Sequence, residues 1–168
     1  MIALRRATQD DVGFLVELFN DEEVEPFLAG RQARDAETIG AEVERSQREP
    51  RKTGRMIIEV DGERAGSMSF DEVSEANRIA HLGGFAVLAA FRGRRIAAEG
   101  ARLLQRYLIF ELGFHRLELA CYGFNERAIR HSERAGFVRE GVKRRAYLRH
   151  GEWQDAVLFS LLREDLEQ

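Results

Sequence analysis

The chain has 168 residues, of which 44% are hydrophobic and 33% are charged, and this composition is typical of one globular domain over residues 1–168. A formal net charge of −3 disfavours nucleic-acid binding over a broad face. The single cysteine, Cys121, excludes an internal disulfide, and no apolar run reaches the length of a membrane span. We therefore predict a cytoplasmic protein that contacts no membrane, and we assign no metal ligands.

The first half of the chain predicts four strands and two helices. Thr8 and Asp11 have the spacing of a capping box ahead of an apolar stripe at helical spacing. The dipeptide Asp61-Gly62, between two apolar runs, is a strong hairpin signal. The predicted elements are strands over residues 2–6, 56–60, 65–70 and 79–87, a helix that begins after Thr8, and a helix from about 36 to 49.

The second half predicts two helices that alternate with strands. Apolar residues from Ile96 to Leu108 recur at helical spacing, and we expect Arg102, Gln105 and Arg106 to face away from them. Strands are predicted over 117–122, 138–148 and 153–162, with a helix over 125–135. The order predicts a mixed α/β fold of about seven strands and about four helices, with a right-handed parallel crossover between the fourth and fifth strands.

A basic turn, residues 91–97 (Phe-Arg-Gly-Arg-Arg-Ile-Ala), joins the fourth strand to the long helix. Backbone N–H groups at a helix start lack intrahelical partners, and the helix dipole adds positive potential there. Arg92, Arg94 and Arg95 add side chains able to grip a phosphate. The turn therefore favours an anion site, and the alternative is three solvated arginines.

Two motifs in this element order resemble the GNAT N-acetyltransferase superfamily. Residues 92–97 are similar to its pyrophosphate-binding pattern Arg/Gln-x-x-Gly-x-Gly/Ala. Residues 125–129 and 133–137 are similar to its Asn-x-x-Ala-Ile…Glu-Lys-x-Gly-Phe segment. Residues 150–155 resemble the end of the ribosomal-protein (RimJ/RimL) and spermidine acetyltransferase branch.

The resemblance implies transfer of acetyl from acetyl-CoA to a primary amine by direct attack. It also implies a cleft where the fourth and fifth strands splay. Paired glycines weaken strand pairing, so Gly83-Gly84 predicts a bulge beside that cleft, and the alternative is two space-saving glycines in a packed strand. Asn125 has an alternative role as a helix N-cap. The residues that the resemblance places at the coenzyme are Phe85, Ala86, Val87, Arg92, Gly93, Arg94, Arg95, Ile96, Ala97, Asn125 and Ala128.

Two residues depart from the family pattern. Arg95 stands where the family usually has a glycine, and Ser132 stands where many members have a tyrosine that protonates the departing thiolate. The resemblance suggests Ser132 and Tyr147 as catalytic residues, Ser132 at the leaving sulfur and Tyr147 in the acceptor site. Candidate bases for the acceptor amine remain open: Asp71, Glu72 and Glu75, which we expect after the third strand near the acceptor entrance, together with His81 and His131.

The acceptor also remains open among a polyamine-like small molecule, a protein N-terminus and an aminoglycoside. The acidic segment 20–25 could attract a polycation, and its alternative is a solvated helix end. The basic run 143–145 is expected to be an exposed face. A homodimer stays open, as does the competing class, a non-catalytic acyl-CoA-binding or regulatory module on the same fold.

Overall fold

A computed structural model describes residues 1–28, 34–93 and 95–167, which form a mixed sheet with helices on both faces. The strand order is β1-β2-β3-β4-β5-β7-β6, and the β4–β5 pair is parallel while the other pairs are antiparallel. The strands are β1 (Ile2–Arg6), β2 (Thr53–Val60), β3 (Glu63–Ser74), β4 (Ile79–Val87), β5 (Arg116–Tyr122), β6 (Val138–Arg149) and β7 (Glu152–Leu162). The helices are α1 (Val12–Asn20), α2 (Ala36–Arg48), α3 (Ile96–Arg106), α4 (Glu126–Arg134) and α5 (Arg163–Leu166).

Helices α1 and α2 cover one face of the N-terminal half of the sheet. A 3₁₀ turn precedes α1, and within it the Asp11 carboxylate accepts a hydrogen bond from Thr8 N at 2.8 Å, as the capping-box spacing predicts. Asp35 caps α2 by accepting from Thr38 N at 2.8 Å. The buried apolar residues of this layer include Leu15, Leu18, Ile39, Val43 and Ile57.

Helices α3 and α4 cover the opposite face, which holds the larger core around Phe70, Leu104 and Phe159. The expectation that Gln105 faces solvent is wrong, because its side chain is buried and donates to the Ala135 carbonyl oxygen at 3.0 Å. This hydrogen bond ties α3 to the end of α4. A polar residue can occupy a buried position when its hydrogen bonds are satisfied there.

The turns follow the sequence signals closely. Asp61 and Gly62 both have positive φ, 51° and 86°, as the tight turn between β2 and β3 requires. His150 and Gly151 do the same between β6 and β7. At the end of α3 the chain forms a π-helical turn over Tyr107–Glu111, and Gly113 at φ 81° then reverses it.

The fork between β4 and β5 is the feature that positions the candidate site. The two strands pair only over Ile79–His81 and Arg116–Glu118, and beyond these three residue pairs they separate. The expected splay between the fourth and fifth strands is therefore confirmed, and its closed end, the apex, lies at His81 and Glu118.

No helix within the described ranges is both long and apolar enough to cross a membrane.

Candidate active site

The β4 arm of the fork carries a bulge, as the paired glycines predict. Ser67 of β3 pairs with Ala86 and Ser69 pairs with Gly83, so β4 holds one residue more than β3 between these pairs. Gly84 has a φ of 55°, which favours glycine. The bulge reorients the backbone just before Phe85, the first residue of the segment that the resemblance places along the coenzyme.

A buried arginine from β2 reaches across β3 and lies against this bulge. A Cβ added to Gly84 would lie 2.6 Å from Nη1 of Arg55. Arg55 is 6% exposed, donates to Glu42 Oε1 on α2 at 2.7 Å and lies over the Phe19 ring at 4.9 Å. Its Nη1 also donates to Ser67 Oγ on β3 at 3.4 Å. Arg55 therefore fixes the shape of the bulge from the α1/α2 side.

The basic turn lies where β4 leads into α3. Arg92 donates from Nε to the Val87 carbonyl oxygen at 3.2 Å, which holds the turn against the end of the strand. Gly93 and Arg95 both have positive φ, 80° and 58°, and Arg95 is the N-cap of α3. Ile96 is buried and Ala97 follows in the first turn of the helix. Arg94 lies outside the described residues.

The left-handed conformation of Arg95 explains why this position is usually glycine in the family. An L-residue pays a steric cost in that region, of order 1–2 kcal/mol. The turn nevertheless presents backbone N–H groups at the start of α3, as an anion site requires.

Helix α4 faces the β5 arm of the fork. Asn125 caps it by accepting from Ala128 N at 3.1 Å, which confirms the alternative role given to this residue. Ser132 is buried, and its Oγ donates to the Ala128 carbonyl oxygen at 2.9 Å and lies 3.8 Å from Cys121 Sγ on β5. Burial raises the pKa of the Cys121 thiol, which disfavours a thiolate nucleophile.

An aromatic contact joins α4 to the β4 arm across the fork. The rings of Phe85 and His131 have centroids 5.2 Å apart and are tilted by 30°. Burial lowers the pKa of His131, and the charge of Arg134 lowers it further. The neutral imidazole can pack on Phe85 without an uncompensated charge, so His131 has a packing role between α4 and the β4 arm.

Residues 21–28, which we call the strap, cross the open end of the fork. On the β4 side, the Glu23 carboxylate forms an ion pair with Nη1 of Arg92 in the basic turn. On the β5/β6 side, Arg149 donates to the backbone and side chain of Glu25. Arg149 lowers the pKa of Glu25, and the charges of His150 and Arg34 lower it further.

An aromatic cluster lines the same end of the fork. Tyr122, at the end of β5, stacks on Phe124 with centroids 5.1 Å apart and meets Tyr147 edge to face at 6.1 Å. Its hydroxyl donates to the Leu28 carbonyl oxygen of the strap at 3.4 Å. Phe27 lies 6.1 Å from Phe124, so the strap and β5 share one apolar wall.

His81 occupies the apex of the fork. In register it stands between Asp71 on β3 and Glu118 on β5. Desolvation lowers the pKa of His81 and the charge of Lys143 on β6 lowers it slightly, whereas Glu118 and Asp71 act in the opposite direction. The imidazole is therefore neutral near pH 7 and able to accept a proton.

The other candidate bases are placed differently. Asp71 and Glu72 lie within β3, which extends to Ser74, rather than after it. Glu75 is in the β3–β4 turn, beside the closed end of the fork and away from its opening. The expectation that Asp71 and Glu72 follow the third strand is therefore wrong, whereas Glu75 does follow it.

The residues that the sequence did not indicate are the partners that act over long range. Arg55, Glu42, Arg149 and Phe124 come from four separate segments and meet the fork only in the folded chain. The one available signal was Arg55, a charged residue at the start of an otherwise apolar run.

A family comparison identifies the class of protein to which this chain belongs. The model of the "Acetyltransferase (GNAT) domain" matches residues 2–138. The chain therefore belongs to the GNAT acetyltransferase family, and the expectation drawn from its motifs is confirmed.

Among individual relatives, the chain is 32% identical over 82 residues to YokL, an uncharacterized SPbeta prophage-derived N-acetyltransferase of Bacillus subtilis (strain 168). That match covers 49% of this chain and 46% of YokL. This chain is also 27% identical over 103 residues to the spermidine N(1)-acetyltransferase of Escherichia coli (strain K12). That match covers 61% of this chain and 55% of the relative. The chain thus spans about half the length of the curated relatives it matches.

A solved structure of Mycobacterium smegmatis RimJ in complex with CoA-disulfide has a similar fold. The TM-score is 0.86 with 22% sequence identity, covering 99% of this chain and 84% of the RimJ chain. At this identity the likeness supports the fold alone. Both curated relatives carry the name N-acetyltransferase, which agrees with acyl transfer as the activity of the family.

Proposed function

We propose that this protein transfers acetyl from acetyl-CoA to a primary amine by direct attack of the amine on the thioester. The observation that carries the proposal is the fork, since β4 and β5 part after Ile79–His81 and the basic turn lies at the end of the β4 arm. The parted strand offers backbone groups to an extended ligand, as an added strand would use them. Membership of the GNAT acetyltransferase family supports a CoA thioester as the donor.

The donor would lie along the β4 arm. Phe85, Ala86 and Val87 would hydrogen-bond the pantetheine arm, and the turn of Arg92, Gly93, Arg94, Arg95, Ile96 and Ala97 would hold the pyrophosphate. On the α4 side, Asn125 and Ala128 lie at the start of the helix and would bound the arm. Glu23 must release Arg92 before that guanidinium can bind a phosphate.

The chemistry would then take place between the two arms. The amine nitrogen forms a bond to the acyl carbon, the carbon–sulfur bond breaks, and coenzyme A leaves as a thiolate. A thiol with an ordinary pKa of about 8.5 is a tolerable leaving group near neutrality, so solvent can protonate the sulfur. Ser132 would turn from the Ala128 carbonyl to hydrogen-bond the sulfur, and Tyr147 would contact the acceptor.

The proton of the attacking amine would pass through water to His81. Neutralising an amine of pKa about 10.4 at pH 7 costs roughly 4.6 kcal/mol, whereas an α-amine of pKa about 8 costs about 1.4 kcal/mol. A neutral imidazole at the apex, flanked by Asp71 and Glu118, is suited to take that proton and to be stabilised once charged.

A second candidate function is an acyl-CoA-binding or regulatory module without efficient turnover. Two observations favour this second function. Arg92 is already paired with Glu23, and the Ser132 hydroxyl already donates to the Ala128 carbonyl oxygen. Both contacts must be exchanged before these side chains can bind the coenzyme, but neither contact prevents binding.

Thiol release with acetyl-CoA and a panel of amines tests the proposal, with calorimetric binding of coenzyme A measured on the same protein. We expect coenzyme binding and acceptor-dependent thiol release from at least one amine. Binding without release from any amine would favour the regulatory module. Absence of coenzyme binding would contradict both functions.

A further inference from the structure

The strap crosses the opening with two of its four carboxylates, Glu23 and Glu25, already paired with arginines of the chain. Glu23 pairs with Arg92, and Glu25 is bound by Arg149 and lies 3.4 Å from Nη1 of Arg34. Asp21 accepts from the Glu23 backbone N–H at 2.8 Å, so its side chain stabilises the turn of the strap itself. Glu23 and Glu25 therefore offer little uncompensated negative charge to an entering ligand, whereas Asp21 and Glu22 have no arginine partner among the described residues.

The cations around the opening make the same point from the other side. Arg92, Arg149 and Arg34 are drawn to the strap, and the guanidinium carbon of Arg127 on α4 lies 5.9 Å from the centroid of Phe27. A ligand with several positive charges would meet arginines at each side of the opening. Its binding would gain little from carboxylates that arginines already neutralise.

What the opening does offer is an apolar surface. Phe27 is 40% exposed and Phe124 is 45% exposed, and the two rings lie 6.1 Å apart. Tyr122 stacks on Phe124, and the Tyr122 hydroxyl donates to the Leu28 carbonyl oxygen of the strap. The wall of Phe27 and Phe124 is thus held in place and still open to a ligand, and rigid aromatic rings of this kind bind apolar groups at low entropic cost.

We infer that the acceptor is an amine with a single cationic centre and a neighbouring apolar or aromatic group, which binds against the wall of Phe27 and Phe124. The inference rests on the proposed acetyl transfer and concerns only which amine the opening selects. The arginines around the opening disfavour a polycation, and the wall of Phe27 and Phe124 favours an amine that carries an apolar group.

Three acceptors test the selection: phenylalanine amide, alanine amide and spermidine. The two amides present the same α-amine and differ in the ring, so their ratio reports the wall alone. We expect kcat/KM for phenylalanine amide to exceed that for alanine amide at least tenfold, and spermidine to be the poorest of the three. A tetrapeptide that begins with phenylalanine, run in parallel, distinguishes a chain terminus from a small amine as the source of the same chemistry.

Two variants assign the effect to the wall and to the charge. Phe124→Ala should reduce the preference for phenylalanine amide to within about threefold of alanine amide, whereas Phe110→Ala, which removes another exposed ring from the π-helical turn after α3, should leave it unchanged. Arg127→Gln should raise kcat/KM for spermidine severalfold. Arg130→Gln is its matched control, since Arg130 lies on the same helix and pairs with Glu126.

The outcomes separate this inference from the proposed function. Preference for spermidine over both amides would overturn the inference and leave acetyl transfer standing. Equal use of the two amides by the unmodified protein would also overturn it. Thiol release from no amine, with coenzyme binding intact, would overturn the inference together with the transferase on which it rests.

Discussion

The two arms of the fork are built in different ways. The shape of the β4 arm is set by the backbone of one continuous segment. This segment has a bulge at Gly84 and left-handed backbone conformations at Gly93 and Arg95 before α3. The opening on the β5 side is made of side chains from the strap, β5, α4 and β6, which meet only in the folded chain. The donor side thus depends on the conformation of one local segment, whereas the acceptor side depends on contacts between segments that are distant in the sequence. A site of this kind can keep its donor while its acceptor changes.

His81 stands at the apex where the two arms meet, and its replacement should give the largest effect. His81→Gln keeps a polar side chain but removes the base, so we expect kcat/KM to fall about 10²-fold with coenzyme affinity unchanged. Because burial lowers the pKa of His81, the unmodified enzyme should lose activity only as pH falls below the ordinary imidazole value of 6.5.

The pH profile of kcat/KM checks this assignment. The acid limb that belongs to His81 should disappear in His81→Gln. A variant that keeps both the limb and the rate would place the base elsewhere, and the two arms would then meet without a shared catalytic group.

The backbone design of the β4 arm is tested next by Gly84→Ala. The added Cβ would meet Nη1 of Arg55 at 2.6 Å and force an alanine into φ 55°. We expect a loss of about 2 kcal/mol in the free energy of unfolding, together with weaker coenzyme binding. Gly83→Ala is the control, because its Cβ has Ser69 Oγ 3.6 Å away as its nearest atom and its φ is not positive. Equal losses in the two variants, measured by denaturant unfolding, would contradict a role for the bulge.

Arg92 belongs to both arms, since it lies in the turn of the donor side and is paired with the strap. Arg92→Ala should weaken coenzyme binding by about 1.5 kcal/mol, the lower end for a charged hydrogen bond, because the native side chain must first give up Glu23. Glu23→Gln should strengthen binding a fewfold for the same reason. Calorimetry that finds both variants unchanged would remove Arg92 from the coenzyme site.

Arg95→Gly should give a smaller effect of opposite sign. Glycine adopts φ 58° without the steric cost that arginine bears, so we expect a gain of about 1 kcal/mol in the free energy of unfolding. Coenzyme binding should tighten with it. Weaker binding in a more stable protein would show that the guanidinium is itself a phosphate ligand.

The same contrast explains how far the sequence predicted the structure. The strand boundaries at Ile2–Arg6 and Ile79–Val87, the Asp61-Gly62 turn and the bulge could be predicted, because each depends on local periodicity or on a glycine. The parted strands were expected only from the resemblance to the GNAT superfamily. Gln105 was misplaced because its partner, the Ala135 carbonyl, lies on another helix.

The partners of the strap could not be predicted for the same physical reason. The carboxylates of residues 21–25 look like a free acidic segment in the sequence, and the arginines that neutralise Glu23 and Glu25 come from residues 92 and 149. Periodicity carries no information about such contacts. The acceptor side is therefore defined only by the folded chain, whereas most of the donor side is encoded locally in the sequence.

Ser132 gives the smallest expected effect, and it tests whether the β5 side contributes to the departure of the sulfur. Its Oγ already donates to the Ala128 carbonyl oxygen at 2.9 Å, so a hydrogen bond to the leaving sulfur must replace an existing one. We therefore expect Ser132→Ala to lower kcat about threefold, with coenzyme affinity unchanged, and Ser132→Thr to restore most of the loss. Steady-state kinetics beside coenzyme titration separate the two quantities. A silent Ser132→Ala would make the residue a packing group beside Cys121, and the departing thiolate would then depend on solvent alone.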